Sequence, residues 1–231
     1  MGNAEAHLVD EVITARRSVR AFLDRPVPPA LVREILDVAA RAPSGVNTQP
    51  WKVHVLTGPA LEALSKAIVA AYDHPNPADP HVAEFNSYPD EWQSPYLDRR
   101  RRLGWDLYGL LGIAKSDKER MHAQVRRNYE FFGAPVGLIF VIDRVMAKGS
   151  TLDYGMFMQN IMLAAKARGL DTCPQAAFAT YHRVITRRLG IPPEQVVVCG
   201  MSLGHADMGA VENTLTTHRE TADSFTVFHD A

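Results

Sequence analysis

The chain has 231 residues, of which 46% are hydrophobic and 22% charged, with a formal net charge of -1. That is the make-up of an ordinary globular protein of one domain, with enough apolar content for a sizeable core. The near-zero charge excludes an overall field that would draw in nucleic acid or an anionic membrane, and no run approaches the roughly 20 apolar residues of a membrane span.

Leu8, Val9, Val12 and Ile13 recur at helical spacing and predict a helix that ends at Arg16-Arg17-Ser18. LDRPVPP then reads as extended backbone, because each proline restricts the residue before it. Pro29 is suited to an early helical position, and Leu31, Val32, Ile35, Leu36 and Ala39 give that helix an apolar face. Pro43 stops it, APSGVNTQP is a loop of breakers, and WKVHVLTG alternates as a strand. A further helix is expected over 59–72. Residues 73–95 are rich in Pro, Asp and His without a clean period, and 96–131 read as a basic, aromatic-studded helical stretch. VGLIFVID and QVVVCGMSLG are continuous apolar runs of the kind found in buried strands. Between them lie a long apolar helix closed by Gly169 and a short helix ending at Gly190. From about residue 209 the chain reads as extended, with little core of its own. Strands interleaved with helices imply a layered α/β or α+β domain, and the absence of a Walker loop or GxGxxG argues against the usual dinucleotide folds.

Two cysteines, Cys173 and Cys199, lie in apolar runs without metal-ligand spacing and read as buried free thiols. The first residues lack the basic and apolar regions of a signal peptide, so a cytoplasmic location is expected.

Four clusters could carry chemistry. Arg16-Arg17-Ser18-Val19-Arg20 places three guanidiniums and a hydroxyl within five residues. Guanidinium forks suit phosphate oxygens, and in extended backbone Arg16, Ser18 and Arg20 point the same way. Taken alone, the cluster equally fits a solvated helix end. The loop from Pro43 to Trp51 offers amides and hydroxyls that suit the edge of a heterocycle, or a plain turn. Gly169–Phe178 has small residues that would let backbone N–H groups approach a flat ligand. Gly200-Met201-Ser202-Leu203-Gly204 is a strand end bracketed by glycine. Core packing accounts for either of these two by itself. No nucleophile–base pair and no metal-ligand set stands out.

In this order and spacing the clusters resemble the FMN-dependent nitroreductase family over nearly the whole chain. RRSVRAF and APSGVNTQPW are similar to its N-terminal signature, and QNIMLAAKARGLDTCPQAAF with CGMSLGHAD to its second half. Within the family the likeness is to the subgroup that reduces nitrobenzoates, dinitroanilines and related nitroaromatics. The resemblance implies an α+β fold: a three-layer α/β/α sandwich with a mixed central sheet. It also implies an intertwined homodimer with C-terminal strand exchange and an FMN site at each side of the interface. One domain would span 1–231, with 73–131 a helical lid insertion.

Residue by residue, the likeness assigns Arg16 and Ser18 to the flavin phosphate and gives Arg17 a backbone or ribityl contact. Arg20 would stand near the flavin N1 and O2, where a positive charge stabilises the reduced ring. Ser44, Gly45 and Asn47 would approach FMN from the other subunit. Pro174, Gln175, Ala176 and Ala177 would run beside N5, Gly204 would lie near the phosphate end, and Arg219 would reach the phosphate from the tail. The chain departs from the family in having His205-Ala206 after Gly204, and Thr217 where a second basic residue is common. Arg127 and Asn128 stand close to where a basic or Asn residue is common before the central strand. The implied reaction is ping-pong hydride transfer from NAD(P)H through N5 to a nitroaromatic, giving nitroso and hydroxylamine products. FMN carries the chemistry, with no protein acid or base. Trp92, Tyr96 and Trp105 are the lid's candidate substrate contacts. The same resemblance leaves open a reductive dehalogenase, a quinone or flavin reductase, a flavin-destroying enzyme, or a flavoprotein without catalysis.

Overall fold

A computed structural model describes residues 2–229. The elements in chain order are α1 (Gly2–Ala15), α2 (Pro29–Ala39), β1 (Trp51–Thr57), α3 (Gly58–Asp73), α4 (Tyr96–Leu110), α5 (Lys118–Arg126), β2 (Val136–Asp143), α6 (Thr151–Lys166), β3 (Asp171–Gln175), α7 (His182–Leu189) and β4 (Gln195–Gly204).

The strands form one sheet in the order β1-β2-β4-β3. Every ladder is antiparallel, and among the described residues parallel pairing is confined to the single bridge between Ser18 and Thr172. Helices cover both faces, which is why β2 can be apolar without alternation. Val136, Leu138, Phe140 and Ile142 face a core shared with α2 and α6, while Ile139 and Val141 face one shared with α3 and α7. On α6 the buried Tyr154, Phe157, Ile161, Ala164 and Ala165 recur at helical spacing. Phe157 stacks on Trp51 with ring centroids 4.7 Å apart, fixing α6 to the start of β1.

A bulge decides what lines the far edge of the sheet. Phe140 pairs with Cys199 but Val141 pairs with Val197, so Val198 is an extra residue in β4. The side-chain parity flips there: Val196 and Val198, then Cys199, Met201 and Leu203, all join the α2/α6 core. Gly200 and Ser202 are thereby turned toward the other face. Phe178 occupies the space beside Gly200, where an added Cβ would come within 2.4 Å of the ring.

Asp171–Gln175, to which the sequence assigns no element, is a strand; it tolerates Pro174 because β3 pairs with β4 on one side only. Two expectations change. The basic stretch over 96–131 is two helices, parted where Gly112 takes a left-handed φ of 61°. The mixture of strand directions is reduced to the one parallel bridge. Gly169 and Gly190 close their helices in the left-handed conformation, at φ 72° and 65°, as their spacing predicts. The tail beyond Leu215 forms no strand among the described residues, and Phe225, Val227 and Phe228 lie exposed on it.

Candidate functional site

The arginine segment runs along the open edge of β3. Val19 is buried, its N–H donates to Thr172 O at 3.1 Å, and Phe22 bridges to Ala206 beyond the end of β4. This tethering leaves Arg16, Ser18 and Arg20 half-buried beside the strand. Among the described residues none of Arg16, Arg17 and Arg20 forms a salt bridge. Arg20 spends one Nη1–H on Ser18 O at 3.2 Å, and Arg17 one on Asn213 O at 3.1 Å. The remaining donors are available to a ligand. Three guanidiniums and a hydroxyl without carboxylate partners are a donor set for a phosphate or another multivalent anion.

The floor of this site is β3 and its continuation. Cys173 is buried there, and burial pushes its thiol up to about 11, against the smaller downward pull of Arg20 and Arg16. Gln175 is oriented inward: its Nε2 donates to Asn128 O at 2.7 Å and its Oε1 accepts from Ser202 Oγ at 2.7 Å. The side-chain amide is therefore consumed in the core, and what the segment can offer a ligand comes from its backbone. Pro174, Ala176 and Ala177 are half-buried around it. Gly204 pairs with Asp171 at the same edge, where an added Cβ would fall 2.7 Å from Pro135 and 3.3 Å from Phe22. Its place is one of close backbone packing that lets residues 20–23 lie against β4.

Ser44, Gly45 and Asn47 sit elsewhere. Their loop leads into Trp51, at the opposite end of β1 from the row that joins Thr57, Val136, Leu203 and Thr172. The loop and the arginine segment thus occupy diagonally opposite corners of the sheet. Four interstrand steps, the last from β3 to the segment itself, and six residues of strand part them, roughly 19 Å by 20 Å. The loop is held in shape by Gln49 N–H to Ser44 Oγ (3.0 Å) and Gly45 N–H to Asp153 Oδ1 (3.3 Å). Val46, Asn47 and Gln49 all have left-handed φ, at 45°, 60° and 47°, and Val46 is 97% exposed. A β-branched residue in that region is strained, by about 1–3 kcal/mol, and nothing among the described residues covers its side chain. Arg219 makes no bond to the arginine segment among the described residues; its Nη1 is folded back onto Thr217 Oγ1 at 2.6 Å.

The pattern that describes the Nitroreductase family matches residues 13–205. The chain belongs to that family. It is 46% identical over 219 residues to a 4-nitrobenzoate reductase of Pseudomonas putida, covering 95% of this chain and 94% of that one. It is 43% identical to a nitrobenzene nitroreductase of Ectopseudomonas oleovorans, with 95% and 96% covered. The fold superposes with a TM-score of 0.90 on the FMN-dependent nitroreductase NfnB from Mycobacterium smegmatis, solved in complex with NADPH; the two are 30% identical, with 98% and 100% covered.

Within this nitroreductase, α4 has no buried residue although it carries Trp105 and Tyr108. Tyr96 and Trp105 are 62% and 56% exposed. Arg99 lies over Tyr96, Arg100 over Trp92 and Lys115 over Trp105, at 4.8–5.9 Å from the ring centroids. Arg99 also pairs with Glu220 at 3.0 Å, and Trp105 helps line an open cleft of about 500 Å³ against Thr214–Thr216. Among the described residues these three aromatics make no hydrogen bond or cation–π contact with Arg16, Arg17 or Arg20, although the Trp105 cleft abuts Thr214, next to the Asn213 that bonds the arginine segment. Sequence reasoning missed Asn213 and Glu212, which are buried beneath the segment. A single Glu-Asn pair in a tail without periodicity gives no signal of burial. Of the pair noted before the central strand, Arg127 reaches Arg20 O, whereas the Asn128 side chain donates to Val125 O of its own helix end.

Burial also raises the Cys199 thiol, to about 12. Neither cysteine reaches solvent, so native protein at pH 8 should resist a disulfide reagent such as Ellman's, and denatured protein should release two equivalents. Fast labelling of either thiol in the native state would contradict the burial. No helix among the described residues is long and apolar enough to cross a membrane.

Proposed function

We propose that the chain is an FMN-dependent NAD(P)H oxidoreductase that reduces nitroaromatic compounds as a cytoplasmic homodimer. The reading is carried by the ion-pair-free arginine segment fixed against β3, in a chain whose relatives over 95% of its length include a 4-nitrobenzoate reductase. The residues present fit FMN: a cluster of uncommitted guanidiniums for a phosphate, beside a strand edge and a small-residue backbone against which a flat ring can lie.

When bound, FMN supplies the hydride chemistry. Arg16 and Ser18 hold its phosphate, and Arg17 lies along the ribityl chain. Arg20 keeps a positive charge at the ring's pyrimidine edge, where negative charge develops on reduction. Pro174, Gln175, Ala176 and Ala177 present backbone to the ring, and Gly204 contributes by close packing. Because Ser44, Gly45 and Asn47 lie at the far corner of the sheet, they can join this site only from a second chain. That need is the argument for the homodimer. The uncovered α4, the exposed Val46 and the orphan apolar tail, with Arg219 on it, are surfaces a partner would cover. On this reading the tail adds a strand to the partner's sheet. Residues 73–131 close over the slot, and Trp92, Tyr96 and Trp105 flank the nitroarene.

The test is purification followed by three measurements: flavin absorbance per chain, light scattering for mass, and initial rates with nitrobenzene and NADH or NADPH. One FMN per chain, a mass of two chains and parallel double-reciprocal lines are expected. A colourless protein that takes up no added FMN would sink the proposal, and intersecting lines would sink the ping-pong order.

A further inference from the structure

The arginine segment is held from behind by side chains distant in sequence. Arg20 N–H donates to Asn213 Oδ1 at 2.8 Å, and Arg20 O accepts from Arg127 Nη2 at 3.0 Å. Both polar groups of one residue's backbone are thus taken by side chains rather than by a neighbouring strand. Asn213 Nδ2 goes on to bond Ala21 O at 2.8 Å and Asp207 O at 2.9 Å, so this single amide spans two segments. Arg127 in turn pairs through Nη1 with the carboxylate of Glu212, next to Asn213. Glu212 and Asn213 are 7% and 5% exposed, and the Arg127 guanidinium lies over the Phe132 ring.

We infer that Arg127, Glu212 and Asn213 are positioning residues for the cofactor site. They lock the Arg20 backbone so that its guanidinium, and Ser18 and Arg16 at alternate positions, stay aimed at one ligand. This rests on the functional reading above. The fork of Arg127 is essential to the role, because only a guanidinium can hold Glu212 with one nitrogen and Arg20 O with another. A buried pair of this kind is weak evidence for stability, since the desolvation of both ions offsets their attraction. What it secures is orientation. Two bonds to the backbone of Arg20 fix its Cα–Cβ direction, as an outer group fixes the ligand it supports.

Arg127→Lys keeps the charge and loses the fork. Its apoprotein should bind added FMN on the order of tenfold more weakly, the usual effect of losing an orienting outer group. The midpoint potential of the bound flavin should fall, because the Arg20 charge is no longer held at the ring. Glu212→Gln keeps the shape, loosens Arg127 and should move both quantities the same way by less. If Arg127→Lys does not fold, Glu212→Gln is read alone. A fall in the urea midpoint with unchanged FMN affinity and potential would overturn the inference, leaving the three residues as fold stabilisers. If the wild-type apoprotein itself binds no FMN, the functional reading fails first, and this outcome is distinct from the other.

Discussion

Arg16→Ala is expected to fold normally and to purify with little flavin. Arg16 is half-buried, and its side chain forms no hydrogen bond or salt bridge among the described residues, so its removal leaves no protein partner unpaired. The loss falls on the ligand. A hydrogen bond to a charged group contributes about 1.5–3 kcal/mol, which corresponds to roughly 10- to 150-fold in affinity. Titrating FMN into apoprotein by flavin fluorescence measures it. Arg20→Ala removes a charge rather than an anchor and should mainly slow reduction by NAD(P)H in a stopped-flow experiment. Unchanged flavin content in the first and unchanged rate in the second would refute the assignment of both residues.

Phe178→Ala is expected to be the most destabilising single change near the site. The ring is fully buried, tilted against Phe131 at 4.5 Å and edge-on to Tyr129 at 6.0 Å, and it fills the room beside Gly200. Truncating a buried phenylalanine costs about 3–5 kcal/mol, which in a chain of this size lowers the melting temperature by roughly 6–20 °C. Gly200→Ala supplies the control. By itself it thrusts a Cβ into the ring at 2.4 Å, and a rigid, fully buried ring cannot yield cheaply. In the Phe178→Ala background that space is open, so the second substitution should cost little. The double mutant should therefore be clearly more stable than the sum of the two changes implies. Strict additivity in calorimetry would show that the ring and the glycine do not share the space. Phe178 follows directly on Ala177, so its loss should also loosen the backbone offered to a ligand and weaken FMN binding.

The two predictions draw on different kinds of legibility. The arginine cluster could be read from the chain because its meaning is local: alternate residues of an extended segment share a side, and guanidinium forks suit phosphate wherever they occur. Phe178 could not be read, because its role depends on a bulge at Val198. One extra residue flips the parity of the rest of β4 and turns Gly200 toward the ring, and nothing in VVVCGMSLG announces it. The strand at Asp171–Gln175 was hidden for a related reason. Pro174 argues against a strand until it is known that one edge is free of a ladder. The direction of the Gln175 side chain was no more legible: its segment is expected to run beside N5, and pairing sets the side-chain amide between Asn128 and Ser202.

The sequence by itself determined the helices and the long strands, the caps at Gly169 and Gly190, the buried thiols, and the family, through four clusters in a fixed order. Those are features written in periodicity, in glycine's conformational freedom and in short runs of chemistry-bearing residues. Only the tertiary structure decided which clusters share a site. It set Arg16, Ser18 and Arg20 against β3 and buried Glu212 and Asn213 behind them. It also sent the loop of Ser44, Gly45 and Asn47 to the opposite corner of the sheet. The reason is physical: contacts between residues almost 200 apart depend on strand order and register, which follow from how the whole core packs and leave no trace in any local window of the chain.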